Sequence, residues 1–252
     1  MKLRAMRRDR AARLGPELFL LSWAFDDCLE RIALNERRFA RGLLIGCPDP
    51  AWRDRLHEVV EVVEVRDPGP LFATAAGGQV IVEDAWATES EPFDLVLAVG
   101  TFDTVNALPL ALGLVRRAMR GDGLFIGALS GGETLPQLRS AMRAADAVSG
   151  AAAPHVHPRV EASALAPLLS QAGFVNPVVD VDRVSVSYPS LDRLIADLRA
   201  MAATNLLSAR PRFISRAALA AARNSFAAAG NGEKMIEVFE ILHFAAWTPA
   251  NG

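Results

Sequence analysis

The chain is poor in reactive and anchoring chemistry. Two cysteines, Cys28 and Cys47, in 252 residues imply neither a disulfide framework nor a zinc site. No apolar run approaches the ~20 residues that a membrane-spanning helix needs, the longest being short stretches such as 18–25 and 244–247. The start of the chain lacks the apolar core of a secretory signal, so the expected compartment is cytoplasmic. Positive charge is not in excess either: 27 Lys and Arg against 29 Asp and Glu leave a net charge of −2, which argues against nucleic-acid binding driven by phosphate neutralisation. P-loops, Ser-His-Asp arrangements, cysteine clusters, internal repeats and low-complexity linkers are all missing. What remains, 51% hydrophobic and 22% charged, is the composition of a packed globular protein with a sizeable core.

The most informative stretch runs from Phe93-Asp94-Leu95-Val96-Leu97-Ala98-Val99-Gly100 to Gly121-Asp122-Gly123-Leu124-Phe125-Ile126-Gly127. An apolar strand ends near a glycine. A helix follows with Leu108, Leu112, Val115 and Met119 at helical spacing, and a Gly-Asp-Gly turn enters a second apolar strand. Both strands read as buried on two faces, which requires helices on each side of a parallel sheet.

The same alternation extends along the chain. Strands are expected at 43–46, 59–65, 79–82 and 175–186, and helices at 51–58, 134–148 and 162–172, giving a doubly wound α/β sheet. Gly15-Pro16 opens a helix whose buried stripe is Leu18, Leu21, Phe25, Leu29 and Ile32, a cover over the first strand. Ahead of it, residues 1–14 carry six basic side chains against Asp9 alone, which reads as a solvated or frayed helix, or as an arm for an acidic partner. Helical patterns at 191–203 and 215–229 form an insertion, and a closing strand at 235–247 follows the turn signal Asn231-Gly232, expected antiparallel at the sheet edge. The whole is read as a single domain: helical cover 1–40, sheet core 41–186, helical insertion 187–230 and last strand 231–252.

Where the first strand ends, the chain reads Leu44-Ile45-Gly46-Cys47-Pro48-Asp49-Pro50. The segment from Phe93-Asp94-Leu95-Val96 to Gly121-Asp122-Gly123-Leu124 resembles the fourth and fifth strands of class I S-adenosylmethionine-dependent methyltransferases, whose seven-stranded Rossmann-like sheet carries acid, apolar, Gly, x, Gly, x, Gly at the loop where 44–50 stands. A narrower resemblance is to bacterial relatives of the methyltransferase-like assembly factor of respiratory complex I, and to the malonyl-carrier methyltransferase of biotin synthesis. It rests on Arg8-Asp9-Arg10-Ala11-Ala12, Gly131-Gly132-Glu133-Thr134-Leu135, Gln171-Ala172-Gly173-Phe174, Asp180-Val181-Asp182-Arg183 and the run from Asp197 to Asn205.

The resemblance implies an S-adenosylmethionine site at the carboxyl ends of the strands, with Gly46, Cys47, Asp67, Asp84, Ala85, Val99 and Gly100 as candidate contacts. Asp67 stands where the family grips the ribose hydroxyls and Asp84 where it faces the adenine amine, although each also reads as a solvated turn residue. Here Leu44 replaces the acid, and Pro48 and Pro50 replace two glycines. Proline has no N–H to give and its ring crowds the approach. Two or three lost hydrogen bonds to a charged ligand, at about 1.5–3 kcal/mol each, would weaken a micromolar site to millimolar or worse. The family's apolar His-Trp segment after the fourth strand is replaced by Thr101-Phe102-Asp103-Thr104.

Arg199, Thr204 and Asn205 belong to the narrower signature and are the candidates for a substrate or partner cleft. His155-Val156-His157 places two imidazoles on one side of an extended loop without an obvious third metal ligand, and reads as surface histidine. The expected function is therefore a methyltransferase-fold binding or assembly module with a degenerate cofactor site, serving a protein partner or small molecule. The alternative is an active S-adenosylmethionine-dependent methyltransferase, or related protein-modifying enzyme, acting on a small acid, a carrier-bound group or a protein.

Overall fold

A computed structural model describes residues 2–87, 92–207, 214–230 and 234–250. Seven strands form one sheet: β1 Phe39–Ile45, β2 Val60–Asp67, β3 Gln79–Val80, β4 Phe93–Val99, β5 Met119–Ser130, β6 Val175–Tyr188 and β7 Met235–Trp247. Their order is β3-β2-β1-β4-β5-β7-β6, with β1 through β5 parallel and β7 antiparallel to both neighbours. The strand order reverses between β1 and β4, and the crevice outside their carboxyl ends is where open α/β sheets receive ligands.

The last strand is antiparallel as expected but does not lie at the edge. It is inserted between β5 and β6, so that β6 is the edge strand. Its residues explain the placement: Phe239, Leu242, Phe244 and Ala246 are buried, which an outer strand with one open side would not require. The Asn231-Gly232 turn signal lies outside the described residues.

The helices are α1 Lys2–Leu14, α2 Phe19–Ala33, α3 Ala51–Leu56, α4 Pro70–Ala75, α5 Leu108–Ala118, α6 Pro136–Ser149, α7 Ala162–Gln171, α8 Leu191–Ala200 and α9 Arg216–Ala228. Alternate residues of β4 feed two cores. Leu95, Leu97 and Val99 join the side covered by α2, α3, α6, α8 and α9, while Phe93, Val96 and Ala98 join the side covered by α5 and α7. Asp94 is fully buried at the start of β4 and accepts from the Ala40 and Arg41 N–H groups, both at 2.8 Å, and from Arg120. It supplies acceptors for β1 just ahead of the point where the β1–β4 ladder begins at Gly42.

Three local expectations are corrected. The buried stripe of α2 is Leu20, Ala24, Phe25, Cys28 and Ile32, with Leu18, Leu21 and Leu29 only half-buried, because the helix starts at Phe19 rather than at Gly15 and faces Trp52 of α3 through a Phe25–Trp52 stack at 4.3 Å. Gly121-Asp122-Gly123 is not a turn before a strand. It is an irregular step inside β5, with Asp122 at φ +55° and a register shift against β4 between Phe93 and Leu95. Residues 2–14 are helical but not merely solvated, since α1 lies against α4 and α8 with Arg8 and Ala11 buried.

Candidate functional site

The first loop carries the geometry that decides its ligand chemistry. Gly46 adopts φ +87°, and a Cβ there would sit 2.5 Å from both the Val99 carbonyl oxygen and Thr101 Cγ2, so this glycine is required by backbone and space together. Its N–H donates to the Arg66 carbonyl at 2.8 Å, and the Cys47 N–H donates to Asp67 Oδ2 at 2.8 Å. Pro48 and Pro50 have no N–H, and Pro50 and Asp49 instead start α3, with the Asp49 carboxylate accepting from the Ala51 N–H at 3.0 Å. Of the loop's donors, those of Gly46 and Cys47 are engaged within the protein, and Pro48 and Pro50 have none to give. The Cys47 thiol, buried beside Asp67 and Asp49, is pushed up to about 12 chiefly by desolvation, which removes it as a nucleophile at neutral pH.

Asp67 is the last residue of β2 rather than two residues beyond it, and it is 0% exposed. Its Oδ1 accepts from Arg8 Nε at 2.7 Å and from the Gly69 N–H at 2.6 Å. Its Oδ2 accepts from Cys47 and from Arg8 Nη2. The guanidinium of Arg8 lies 5.1 Å over the Phe72 ring. Burial acts to lower the Arg8 pKa, but the charge and hydrogen bonds of Asp67, with Glu83 and Asp103 beyond, outweigh it and leave the net shift upward. A second rung of α1 repeats the arrangement: Arg4 donates to buried Glu83 at 2.7 Å and to the Thr101 carbonyl. Desolvation raises the Glu83 carboxyl above its ordinary range despite Arg4. The N-terminal helix thus grips the crevice through two guanidinium–carboxylate pairs.

The other candidate cofactor residues serve the scaffold or line the crevice. Asp84 accepts from the Ala107 N–H at 3.1 Å and ties the segment after β3 to the start of α5. Ala85 is exposed, and its N–H donates to the Val82 carbonyl. Val99 closes β4, and Gly100 at φ +63° admits Leu21 of α2, which would stand 2.4 Å from a Cβ. Val99, Gly100 and Leu21 line a cavity of about 90 Å³ at the strand ends, together with Arg4, Arg8 and Arg159. Arg159 is paired with Asp103, and its side chain is 2% exposed.

Arg199, Thr204 and Asn205 lie elsewhere. The structure brings the three together on a second cavity of about 390 Å³ beyond α8, and Leu135, Leu198 and Ala203 wall both spaces. Asn205 donates to the Pro154 carbonyl and accepts from the Leu207 N–H at 2.9 Å, while the Thr204 hydroxyl oxygen is buried without a partner. His155 Nε2 meets Asp146 Oδ1 at 2.7 Å, and among the described residues no three side chains could hold a metal ion. Sequence reasoning missed Arg4, Arg8, Glu83, Asp103 and Arg159. Arg8 had a signal as part of the Arg8-Asp9-Arg10 signature, Arg4 only as one charge of the basic segment 1–14, and Asp103 only as part of Thr101-Phe102-Asp103-Thr104.

No protein-family model matches the chain. The fold and the relatives together support the class I methyltransferase superfamily. The arginine-hydroxylase NDUFAF5, mitochondrial, of Danio rerio is 36% identical over 160 residues, which are 62% of this chain and 50% of that protein. A malonyl-(acyl-carrier protein) O-methyltransferase of Xylella fastidiosa is 33% identical over 162 residues, 63% of this chain and 52% of that one. The chain spans about half the length of the curated relatives it matches. Among solved structures, the YcgJ protein of Bacillus subtilis shares the fold at TM-score 0.60 with 13% identity, over 90% of this chain and 100% of that one. Haemonchus contortus phosphoethanolamine N-methyltransferase 2, solved with S-adenosyl-L-methionine, matches at TM-score 0.52 and 13% identity, over 89% of this chain and 52% of that chain. Among the described residues no helix is long and apolar enough to cross a membrane.

Proposed function

We propose that this chain is a methyltransferase-fold module whose S-adenosylmethionine groove is occupied by its own N-terminal helix, and that it acts by binding or assembly rather than by methyl transfer. One observation carries the reading: both oxygens of Asp67, the carboxylate in the ribose position, are engaged by Arg8 and by the Cys47 and Gly69 N–H groups. A ribose hydroxyl has no lone pair there to meet without displacing a buried ion pair. The strand-end cavity of about 90 Å³ also falls well below the ~300–1,000 Å³ of ordinary ligand sites. The likeness to a protein named an arginine-hydroxylase supports a protein partner, and assembly of a respiratory complex as the setting rests on the sequence resemblance alone.

A second reading, a latent methyltransferase, is favoured by the survival of Asp67 at the end of β2 and of Asp84 in the segment after β3. In that case α1 is a displaceable cover, and the substrate is a small acid, a carrier-bound group or a protein.

Calorimetric titration with S-adenosylhomocysteine separates the two. The module reading expects no saturation below millimolar ligand in the unmodified protein, and binding restored by Leu44→Asp with Pro48→Gly and Pro50→Gly only if α1 is also released by Arg8→Met. Micromolar affinity in the unmodified protein would overturn it and promote the enzyme.

A further inference from the structure

α8 ends in a turn that its residues do not favour. The Ala203 N–H donates to the Leu198 carbonyl at 2.8 Å and the Ala202 N–H to the Arg199 carbonyl at 3.3 Å, the pattern that closes a helix through a left-handed residue. That residue is Ala202 at φ +59°, where glycine is usual and a Cβ is strained. The turn sets a fixed display. Arg199 stays on the last turn of α8, and the chain leaves the helix with Thr204 and Asn205 on the same cavity, Asn205 anchored to the Pro154 carbonyl.

That cavity, of about 390 Å³, lies within the range of small-molecule sites, and Leu138, Met142, Ile195 and Leu198 give it apolar walls. Its polar groups divide into used and unused. His155 Nε2 is taken by Asp146, and Asn205 is engaged through both its amide nitrogen and its oxygen. Of the two arginines on the wall, Arg7 is already engaged, while Arg199 is exposed and forms no hydrogen bond or ion pair among the described residues. Among those residues no Asp or Glu lines the cavity. The acids of α8 are held elsewhere, Asp192 on both oxygens by Arg223 at 2.9 and 2.8 Å, and Asp197 by Arg193 at 3.0 Å. The Thr204 hydroxyl oxygen is buried without a partner. One unanswered guanidinium beside one unused hydroxyl matches a single carboxylate, which an arginine fork meets on two points. The apolar walls match a hydrocarbon tail, whose burial supplies the larger share of the affinity.

We propose that Arg199 and Thr204 hold the carboxylate of a medium-chain fatty acid whose tail enters the cavity between α6 and α8. The site is walled off from the strand-end crevice by Leu135, Leu198 and Ala203, so it stands whether or not S-adenosylmethionine binds.

The test is calorimetric titration of the full chain with octanoate, acetate, octanol and octyl phosphate, repeated for Arg199→Met, Thr204→Val and Ile195→Trp. Saturable binding of octanoate is expected, at least tenfold tighter than acetate or octanol. Arg199→Met should weaken octanoate tenfold or more and leave octanol unchanged, because only the charged head loses its partner. Arg199 is exposed, so the melting temperature of that variant should match that of the unmodified protein, which separates loss of the site from loss of the fold. Ile195→Trp fills the chamber from a half-buried position and should weaken octanoate and octanol alike. No saturable binding of octanoate, equal binding of octanol, or undiminished affinity in the Arg199→Met/Thr204→Val double variant overturns the proposal. Unchanged octanoate affinity in Ile195→Trp overturns the placement of the tail, and tighter binding of octyl phosphate than of octanoate overturns the carboxylate.

Discussion

Replacing Arg8 by methionine tests the central contact of the structure. The methionine stem keeps much of the volume over Phe72, but the fork is lost and a fully buried Asp67 carboxylate is left with only the Cys47 and Gly69 N–H groups. Breaking a buried ion pair on one side costs about 3–5 kcal/mol, because the remaining charge is uncompensated. The two retained donors place the expected loss near the low end, at about 3 kcal/mol. Against a total stability of roughly 5–15 kcal/mol, this is a large fraction, and at about 2–4 °C per kcal/mol for a chain of this size the melting temperature should fall by roughly 6–12 °C. Urea denaturation at pH 7 measures it, with Asp67→Asn completing a double-mutant cycle. The asparagine forfeits one backbone acceptor in either background, so that cost cancels and the coupling between residues 8 and 67 remains. A loss below about 1 kcal/mol, or the same loss when residue 67 is already asparagine, would refute the claim that this pair closes the crevice.

Gly46→Ala should destabilise by about 2 kcal/mol or more, since it adds a Cβ at φ +87° against Val99 and Thr101; an unchanged denaturation midpoint would contradict the geometry. Phe25→Ala removes a fully buried ring stacked on Trp52 and should cost about 3–5 kcal/mol by chemical denaturation. Burial holds His157 and His243 below the ordinary value of 6.5, so the unfolded chain binds more protons there. Their contribution to stability is present above that pH and is lost as pH falls through it. Urea midpoints measured from pH 7.5 to 5.5 should decline, and His243→Gln should make the decline shallower.

The strands of the parallel half were legible because burial on both faces leaves a continuous apolar run, as in Phe93 to Val99, and no competing element has that signature. The missing N–H groups at Pro48 and Pro50 were legible because proline lacks a donor wherever it stands. The grip on the crevice was not. Arg8 and Asp67 are 59 residues apart, and nothing local to either sequence records the other. The basic segment looked solvated because charge usually is, and the three acids that meet arginine at the site, Asp67, Glu83 and Asp103, sit on different elements. The closing strand was placed at the edge for a related reason: its alternation reports which face is buried, not which strands lie on either side. Arg199, Thr204 and Asn205 are close in sequence, while the cavity they share depends on α6, α8 and the segment around His155 meeting in space.

The intercalation of β7 also constrains how the protein is made. On the ribosome β6 emerges before β7, its one eventual neighbour, since β5 lies one strand away across a gap that only β7 can fill. The 46 residues of 189–234 must be synthesised before that gap closes, which at ~5–20 residues per second takes roughly 2–10 s. Throughout that interval a 14-residue strand, with Val175, Val178 and Val181 exposed even in the finished fold, presents unpaired backbone on both sides. Nascent chains stalled before Met235 are therefore the species most prone to self-association, and codon-level slowing within 189–234 would lower the soluble yield without altering a single contact of the native state.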